Sequence, residues 1–212
     1  MAKFMLGYKA GMTQIFDETG SAVPVTVIAC GPVSVVRKKT LENDGYQALL
    51  VAFDETKENR LNRPDRGQFA ASGLAPHRRL LEFRVDDVDA YELGQTIKVS
   101  DMFAVGDRVD VAGTSKGKGY QGNVKRHGQR GGREAHGSKY HRRVGSLGSS
   151  ATPGRVWKGT KLPGQMGNKR VTVQNLTVAF VDGERDILAV KGAVPGSNGT
   201  CLEIRDTVKF RV

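Results

Sequence analysis

The chain has 212 residues and a formal net charge of +11, a length that allows one domain with a large insertion or two small domains. No apolar run is long enough to span a membrane or flanked like a leader peptide, and Cys30 and Cys201 lack the spacing of a zinc or redox site. We therefore expect a cytoplasmic chain whose two thiols stay unused in a reducing compartment.

The first third of the chain has the pattern of short β-strands. Residues Ala22 to Val36 are rich in Val and Ile and are interrupted at Gly31-Pro32, which predicts two strands joined by a turn. The turn signal Asn43-Asp44-Gly45 precedes a third predicted strand, Tyr46 to Phe53. A short helix is predicted from Pro64 to Ser72, because proline suits the first helical turn and Gly73 a position just past the end.

The remaining elements outside the centre of the chain are also β-rich. Residues 74–104 look mixed, with a candidate strand at 80–85, and a strand is predicted at Arg108–Val111. Residues 170–174 begin strand-like sequence again, and a hairpin is predicted around Asp182-Gly183-Glu184. Its buried face is expected to consist of Val178, Phe180, Ile187 and Val190. Many short strands with Gly or Pro turns favour a closed or nearly closed β-barrel.

The centre of the chain, residues 113–170, carries the unusual charge. It holds fourteen Lys and Arg against the single acid Glu134, so it is +13 by itself and the rest of the chain is −2. It also holds fourteen of the 27 glycines. Such a segment cannot bury a core of its own, and its charge and close-approaching backbone suit a polyanion. A solvated basic loop is the alternative, which the density of charge disfavours.

Several chemistries are excluded by spacing. Gly113 and Gly117 enclose three residues and Lys118 precedes Gly119, so the segment is not a nucleotide phosphate loop, and no helix-forming sequence follows it. His127, His136 and His141 match no metal-binding spacing and have no cysteine nearby. Neither a GxSxG motif nor a matched pair of carboxylates is present. We expect no catalytic residue, no metal, no cofactor and no small-molecule substrate.

RNA is the polyanion that the segment fits. Its cations are spread along the whole segment, and Tyr120, Tyr140 and Trp157 could stack on unpaired bases, although local packing of these rings is an equal alternative. No recognition helix for a DNA major groove is evident. The candidate RNA-binding residues are Lys116, Lys118, Lys125, Arg126, Arg130, Arg133, Lys139, His141, Arg142, Arg143, Arg155, Lys158, Lys161, Lys169 and Arg170.

One set of spaced residues extends from the end of the mixed region into the basic segment and comprises Phe103, Asp110, Gly113, Ser115, Gly117, Lys118, Gly119, Gly122 and Arg126. In these residues and their spacing, the chain closely resembles the signature of the family of the third protein of the large ribosomal subunit, in its bacterial form. Similarity runs the length of the chain. Further matching segments are Gly11–Phe16, Pro24–Ile28, Asn43–Tyr46, Thr152–Gly154, Gly164–Asn168, Arg170–Gln174 and Lys191–Gly196.

The resemblance implies a mainly β fold: a translation-factor-like barrel formed by residues 1–112 and 171–212, with a small α+β excursion at 54–104. It also implies that 113–170 is a long, extended finger, which penetrates 23S-type ribosomal RNA toward the peptidyl-transferase centre. Family members bind this RNA early and nucleate folding of its 3′ region beside neighbouring ribosomal proteins. The implied tip is Ser149, Ser150, Ala151 and Thr152. Some bacterial members carry a methylated glutamine where this chain has Ala151, so that modification is not expected.

Two other functions compete with this interpretation. An RNA-modifying enzyme with a basic docking arm would need a cofactor loop or a matched acid and base outside the arm, and the sequence has neither. A free RNA chaperone that works off the ribosome has the same sequence features. Co-sedimentation with large subunits through a high-salt wash distinguishes a chaperone, which would be removed, from a ribosomal component.

Overall fold

A computed structural model describes residues 3–209 of the chain, so the outermost residues of the predicted barrel ranges, 1–2 and 210–212, lie outside it. The fold divides into two compact units, one reaching Thr114 and resuming at Arg170, the other comprising Ser115–Lys169. The predicted mainly β fold with a barrel is confirmed. No helix in the described part of the chain is both long and apolar enough to cross a membrane.

The elements of the first half alternate strands with very short helices. In chain order they are β1 (Phe4–Phe16), β2 (Ala22–Cys30), β3 (Val33–Lys39), α1 (Leu41–Asp44), β4 (Ala48–Glu55), a 3-10 helix (Glu58–Arg60), α2 (Arg63–Ser72), β5 (His77–Arg84), β6 (Thr96–Ile97), α3 (Val99–Met102) and β7 (Arg108–Thr114). The predicted helix α2 is present. Its N-cap Asn62 accepts a hydrogen bond from the Asp65 amide (2.9 Å), and Gly73 ends it in the left-handed conformation.

The second half contains the smaller unit and the strands that close the barrel. They are β8 (Tyr120–Gln121), α4 (Asn123–His127), β9 (Gly164–Gln165), β10 (Arg170–Asp182), β11 (Ile187–Lys191) and β12 (Cys201–Asp206). The turn predicted at Asn43–Gly45 proves to be the end of the one-turn helix α1, with Gly45 in the left-handed conformation. The short helix α4 was not expected from the sequence.

The barrel is antiparallel and closed, with strand order β1-β12-β7-β10-β11-β2. β7 and β10 are neighbours that pair from Thr114↔Arg170 onward, so the chain leaves and re-enters the barrel through adjacent strands. The predicted β10–β11 hairpin is present. On its expected inner face Val178 and Val190 are fully buried, but Phe180 is 50% exposed and points the other way. A bulge between Val178 and Phe180 causes this change of face.

A second sheet, in the order β5-β4-β3-β6, packs against the barrel. Phe4 of the barrel stacks on Phe83 of this sheet with ring centroids 4.7 Å apart, and Tyr8 contacts Phe53 at 5.3 Å. One large hydrophobic cluster therefore includes side chains from both sheets. The second sheet begins with β3 at Val33, and residues 54–104, expected to form an α+β excursion, contain α2, β5, β6 and α3.

Candidate nucleic-acid interface

The base of the Ser115–Lys169 unit is a two-stranded backbone ladder. The Ser115 amide donates to the Lys169 carbonyl (2.9 Å), and the Asn168 amide donates back to the Ser115 carbonyl (3.1 Å). Further along, the Lys118 amide donates to Met166 and the Met166 amide to Gly119, both at 2.9 Å, and β8 pairs with β9. These bonds hold the two ends of the unit in fixed register.

Gly167 lets the two chains of this ladder approach closely. Its φ of +70° lies in the left-handed region, and a Cβ added there would stand 2.1 Å from the Lys116 carbonyl oxygen. No other residue fits without displacing backbone. The position explains why a glycine stands in the Gly164–Asn168 segment that carries part of the family resemblance.

The helix α4 is tied to the returning chain by side chains. Asn123 is 2% exposed, and its amide nitrogen donates to the Lys161 carbonyl (2.7 Å) and to Gln129 Oε1 (2.9 Å). Arg126 Nη1 donates to the Leu162 carbonyl (2.6 Å), and His127 Nε2 lies 2.9 Å from the same oxygen. Hydrogen bonds, rather than an apolar core, therefore stabilise this part of the unit.

Beyond α4, the glycine backbone at Gly132 packs against the side chain of Tyr140. The Gly132 amide donates to the His141 carbonyl (2.9 Å). A Cβ on Gly132 would lie 2.7 Å from the Tyr140 ring, so the ring rests directly on glycine backbone. Tyr140 therefore packs locally and is 41% exposed, whereas Tyr120 (74%) and Trp157 (60%) are more exposed. Trp157 presents one ring face to Arg155, whose guanidinium carbon is 5.0 Å from the ring centroid.

The charge of this unit has no internal counterpart. Thirteen Lys and Arg side chains lie in Ser115–Lys169 against the one acid Glu134, and none of the thirteen forms an ion pair with a residue in 3–209. All are exposed except Arg126, which is half-buried, and His141 is exposed as well. Asn123 is the only buried residue of the unit, and neither hydrophobic cluster of the described chain includes any of its residues. Like charges are therefore held near one another without neutralisation.

Four of the predicted cations converge on one cavity that the sequence did not reveal. Lys116, Lys118, Arg126 and Lys169 line a cleft of 430 Å³ together with His127. His127 was absent from the predicted RNA-binding set. Its place directly after Lys125-Arg126 on α4 was the signal available in the sequence.

Arg170 differs from the other candidates because it lies in the barrel. It is the first residue of β10, and its guanidinium donates to the Glu203 carboxylate of β12, with Nε 3.4 Å from Oε1 and a closer contact from Nη2. This hydrogen bond raises the pKa of Arg170, against the opposing effect of partial burial. Gly113 and Thr114, at the other end of the predicted segment, belong to β7.

The predicted tip residues Ser149, Ser150, Ala151 and Thr152 are all exposed. They precede a cis peptide bond between Thr152 and Pro153. The described residues contain no group of three or more His, Cys, Asp or Glu side chains placed to hold a metal ion. The unit thus offers exposed cations, exposed rings and accessible backbone.

Comparison with known proteins agrees with these features. The model of the family described as "Ribosomal protein L3" matches residues 81–186. The chain is 61% identical over 211 residues to "Large ribosomal subunit protein uL3" of Acetivibrio thermocellus, covering all of both chains. It is 56% identical over 209 residues to the protein of the same name from Carboxydothermus hydrogenoformans, covering 99% of each.

Proposed function

Because the chain belongs to the ribosomal protein L3 family, and is accordingly a non-enzymatic constituent of the large ribosomal subunit in the bacterial cytoplasm, we propose that its Ser115–Lys169 unit binds 23S-type ribosomal RNA directly. In this proposal the barrel is the folded domain to which the RNA-binding unit is connected at both of its ends. The proposed contacts are the thirteen cations of the unit, together with His141 and His127.

The observation that carries the proposal is the unneutralised charge. Thirteen cations share one small unit with a single acid, and none of the thirteen forms an ion pair with any residue in 3–209. Repulsion between them is relieved when phosphates replace the missing carboxylates, and the release of condensed counterions then drives binding. A surface meant for acidic proteins would not need cations along all 55 residues of its backbone.

The local structure supplies two further kinds of RNA contact. Exposed Tyr120 and Trp157 offer ring faces on which unpaired bases can stack. Glycines leave stretches of backbone free to approach sugar and phosphate where side chains would collide. Mechanistically, the unit neutralises phosphates that folded RNA must bring close together, so it acts as a scaffold and not as a catalyst.

The finer parts of the proposal follow from the family resemblance. The exposed loop Ser149–Thr152 is directed toward the peptidyl-transferase centre, and binding takes place early in assembly and nucleates folding of the 3′ region of the RNA. Neighbouring large-subunit proteins adjoin the barrel. Exposure of all four loop residues supports the first of these assignments, since a loop buried against its own protein could not reach RNA.

The test compares RNA crosslinks of the full-length chain with those of a shortened chain in cells. Gln121 and Gly164 are directly paired, so replacing residues 122–163 by Asn-Gly closes β8 and β9 into a two-residue hairpin and leaves the barrel strands untouched. We expect full-length crosslinks in large-subunit RNA near the peptidyl-transferase centre, and we expect them to vanish in the shortened chain.

Two results would count against the proposal. Crosslinks scattered over messenger or transfer RNA would favour the chaperone. Crosslinks that persist unchanged in the shortened chain would place the RNA contact outside residues 122–163, on the barrel or on the retained Lys116, Lys118 and Lys169. The unfolding midpoint of the shortened chain serves as the control, because the barrel should unfold as in the full-length protein.

A further inference from the structure

The hairpin formed by β1 and β2 continues beyond the closed barrel as a two-stranded ribbon, which we define as residues 11–24. β12 pairs with β1 only over Phe4–Tyr8, and β11 pairs with β2 only over Val25–Ala29. Beyond Tyr8, β1 no longer pairs with β12, while β2 still pairs with β11 as far as Val25. The two strands pair with each other alone from Gln14↔Pro24 to Phe16↔Ala22. The ribbon includes the Gly11–Phe16 segment that contributes to the family resemblance, yet RNA binding by the other unit gives this segment no role.

One face of the ribbon is apolar and open to solvent. Side chains of directly paired residues share a face, which places Met12, Gln14 and Phe16 together with Pro24 and Ala22. Met12 is 54% exposed and Phe16 68%, and the other three are also exposed. Aromatic residues and methionine are enriched in protein interfaces. The face therefore has the composition of a contact surface and is not covered by any residue in 3–209.

The turn that joins the strands is held in one conformation. Asp17 Oδ1 accepts hydrogen bonds from the Thr19 amide (3.0 Å), the Thr19 hydroxyl (2.6 Å) and the Ser21 amide (2.8 Å). The Asp17 amide also donates to the Ser21 carbonyl (3.1 Å). The Thr19 hydroxyl bond, followed by the Ser21 amide bond, lowers the pKa of Asp17, so this carboxylate is charged at neutral pH. A ribbon ordered in advance loses little conformational entropy on docking.

The charge of the ribbon identifies the class of partner. Residues 11–24 contain Asp17 and Glu18 but no Lys, Arg or His, in a chain whose net charge is +11. A phosphate backbone would be repelled by these carboxylates, whereas a cationic protein surface is complementary to them. We propose that the Met12–Phe16 face of the ribbon docks onto a positively charged protein of the large subunit, an inference that rests on the chain's place in that subunit.

The first experiment places a photoreactive phenylalanine at position 16 or, as reference, at position 157. Each full-length chain is expressed in cells, the large subunits are purified and irradiated, and the adducts are identified by mass spectrometry. We expect the position-16 probe to react with one ribosomal protein of net positive charge and the position-157 probe to react with RNA. An RNA adduct at position 16, or none there while position 157 reacts, would overturn the docking proposal. Failure at position 157 alone would count against the RNA contact and leave the docking result standing.

The second experiment measures affinity for the protein so identified. M12S/F16S should weaken binding of the full-length chain by more than about tenfold, as expected for buried interface anchors. L41S/L93S is the matched control, since Leu41 (63%) and Leu93 (64%) are equally exposed but lie outside the ribbon, and it should leave the affinity unchanged. E18K should weaken binding as well, because it reverses a charge at a side chain that makes none of the hydrogen bonds of the Asp17 turn. Equal loss in both double variants, or tighter binding by E18K, would contradict the proposal.

Discussion

Removing arginines at two places in the chain should distinguish cations that contact RNA from one that already pairs with a carboxylate of the barrel. The perturbations are R142A/R143A, within the Ser115–Lys169 unit, and R170A at the start of β10. Arg142 and Arg143 are exposed and have no acidic partner among the described residues, whereas Arg170 donates to Glu203. Both variants remove arginine, so they differ mainly in whether the lost charge was already neutralised.

The expected magnitude follows from counterion release. Each phosphate contact contributes about −0.7 to the slope of log K against log salt for a single strand. If all thirteen unpaired cations contact phosphate, the slope of the full-length chain is about −9 at most. R142A/R143A should make it shallower by about 1.4, so that between about 50 and 200 mM salt the variant loses about sevenfold less affinity than the wild type. R170A should change the slope by less than half of what one phosphate contact contributes.

The assay is filter binding to 23S-type RNA over that salt range, with the unfolding midpoint of each variant as a control for the barrel. A slope near zero for the wild type would refute the electrostatic account of RNA binding. If R170A changed the salt slope by half as much as R142A/R143A does, the Glu203 contact would not neutralise Arg170 in solution.

Three further predictions concern the fold that supports the RNA contacts. G167A should weaken RNA binding while the barrel unfolds as in the wild type, because the added Cβ would collide with the Lys116 carbonyl. G122A is the control and should bind RNA normally, since nothing lies within 4 Å of its added Cβ. Equal RNA affinity of the two variants would show that the backbone ladder at Gly167 does not support RNA binding. F83A should lower the free energy of unfolding by about 3–5 kcal/mol in urea titration, since the ring is 1% exposed and stacks on Phe4; a loss below about 1 kcal/mol would mean that the two sheets pack differently. Hydrogen bonds from Lys39, then Tyr46, lower the pKa of Glu82 in the folded protein. The stabilisation that the Glu82 carboxylate contributes is therefore present above its unfolded pKa and lost as the pH falls through the folded pKa, so E82Q should flatten the fall in the free energy of unfolding between about pH 6 and pH 3. Parallel curves of the free energy of unfolding against pH for the wild type and E82Q would rule this out.

Local signals were sufficient for the elements that are fixed locally. Pro64 and Gly73 predicted α2 because they act on the backbone at its two ends, and Asp182-Gly183-Glu184 predicted the β10–β11 hairpin. β1 was not predicted, because Phe4–Tyr8 contacts the second sheet as well as the barrel, so its apolar residues do not alternate. Phe180 was assigned to the wrong face because a bulge shifts the two-residue period and leaves no sign in the sequence.

The candidate site, too, could be predicted from the sequence only in part. Composition was enough to identify the cations, since their number and spacing are properties of the sequence itself. Their grouping was not, because the cavity lined by Lys116, Lys118, Arg126 and Lys169 joins residues more than forty positions apart. The pairing of Arg170 with Glu203 is likewise a contact between strands far apart in the chain, across β7. The separation of these residues along the sequence predicts neither the cavity nor the Arg170–Glu203 ion pair.

The pairing of Thr114 with Arg170 has a consequence for the order of assembly. Bringing together the ends of a flexible segment of 55 residues costs about 3.5 kcal/mol of chain entropy. Strands β7 and β10 join these ends by pairing within the barrel, so RNA binding does not have to supply this free energy. A chain cut between Ser149 and Ser150 would therefore keep both halves of the segment fastened to one body. Circular permutation at this bond should still give a protein that enters the large subunit.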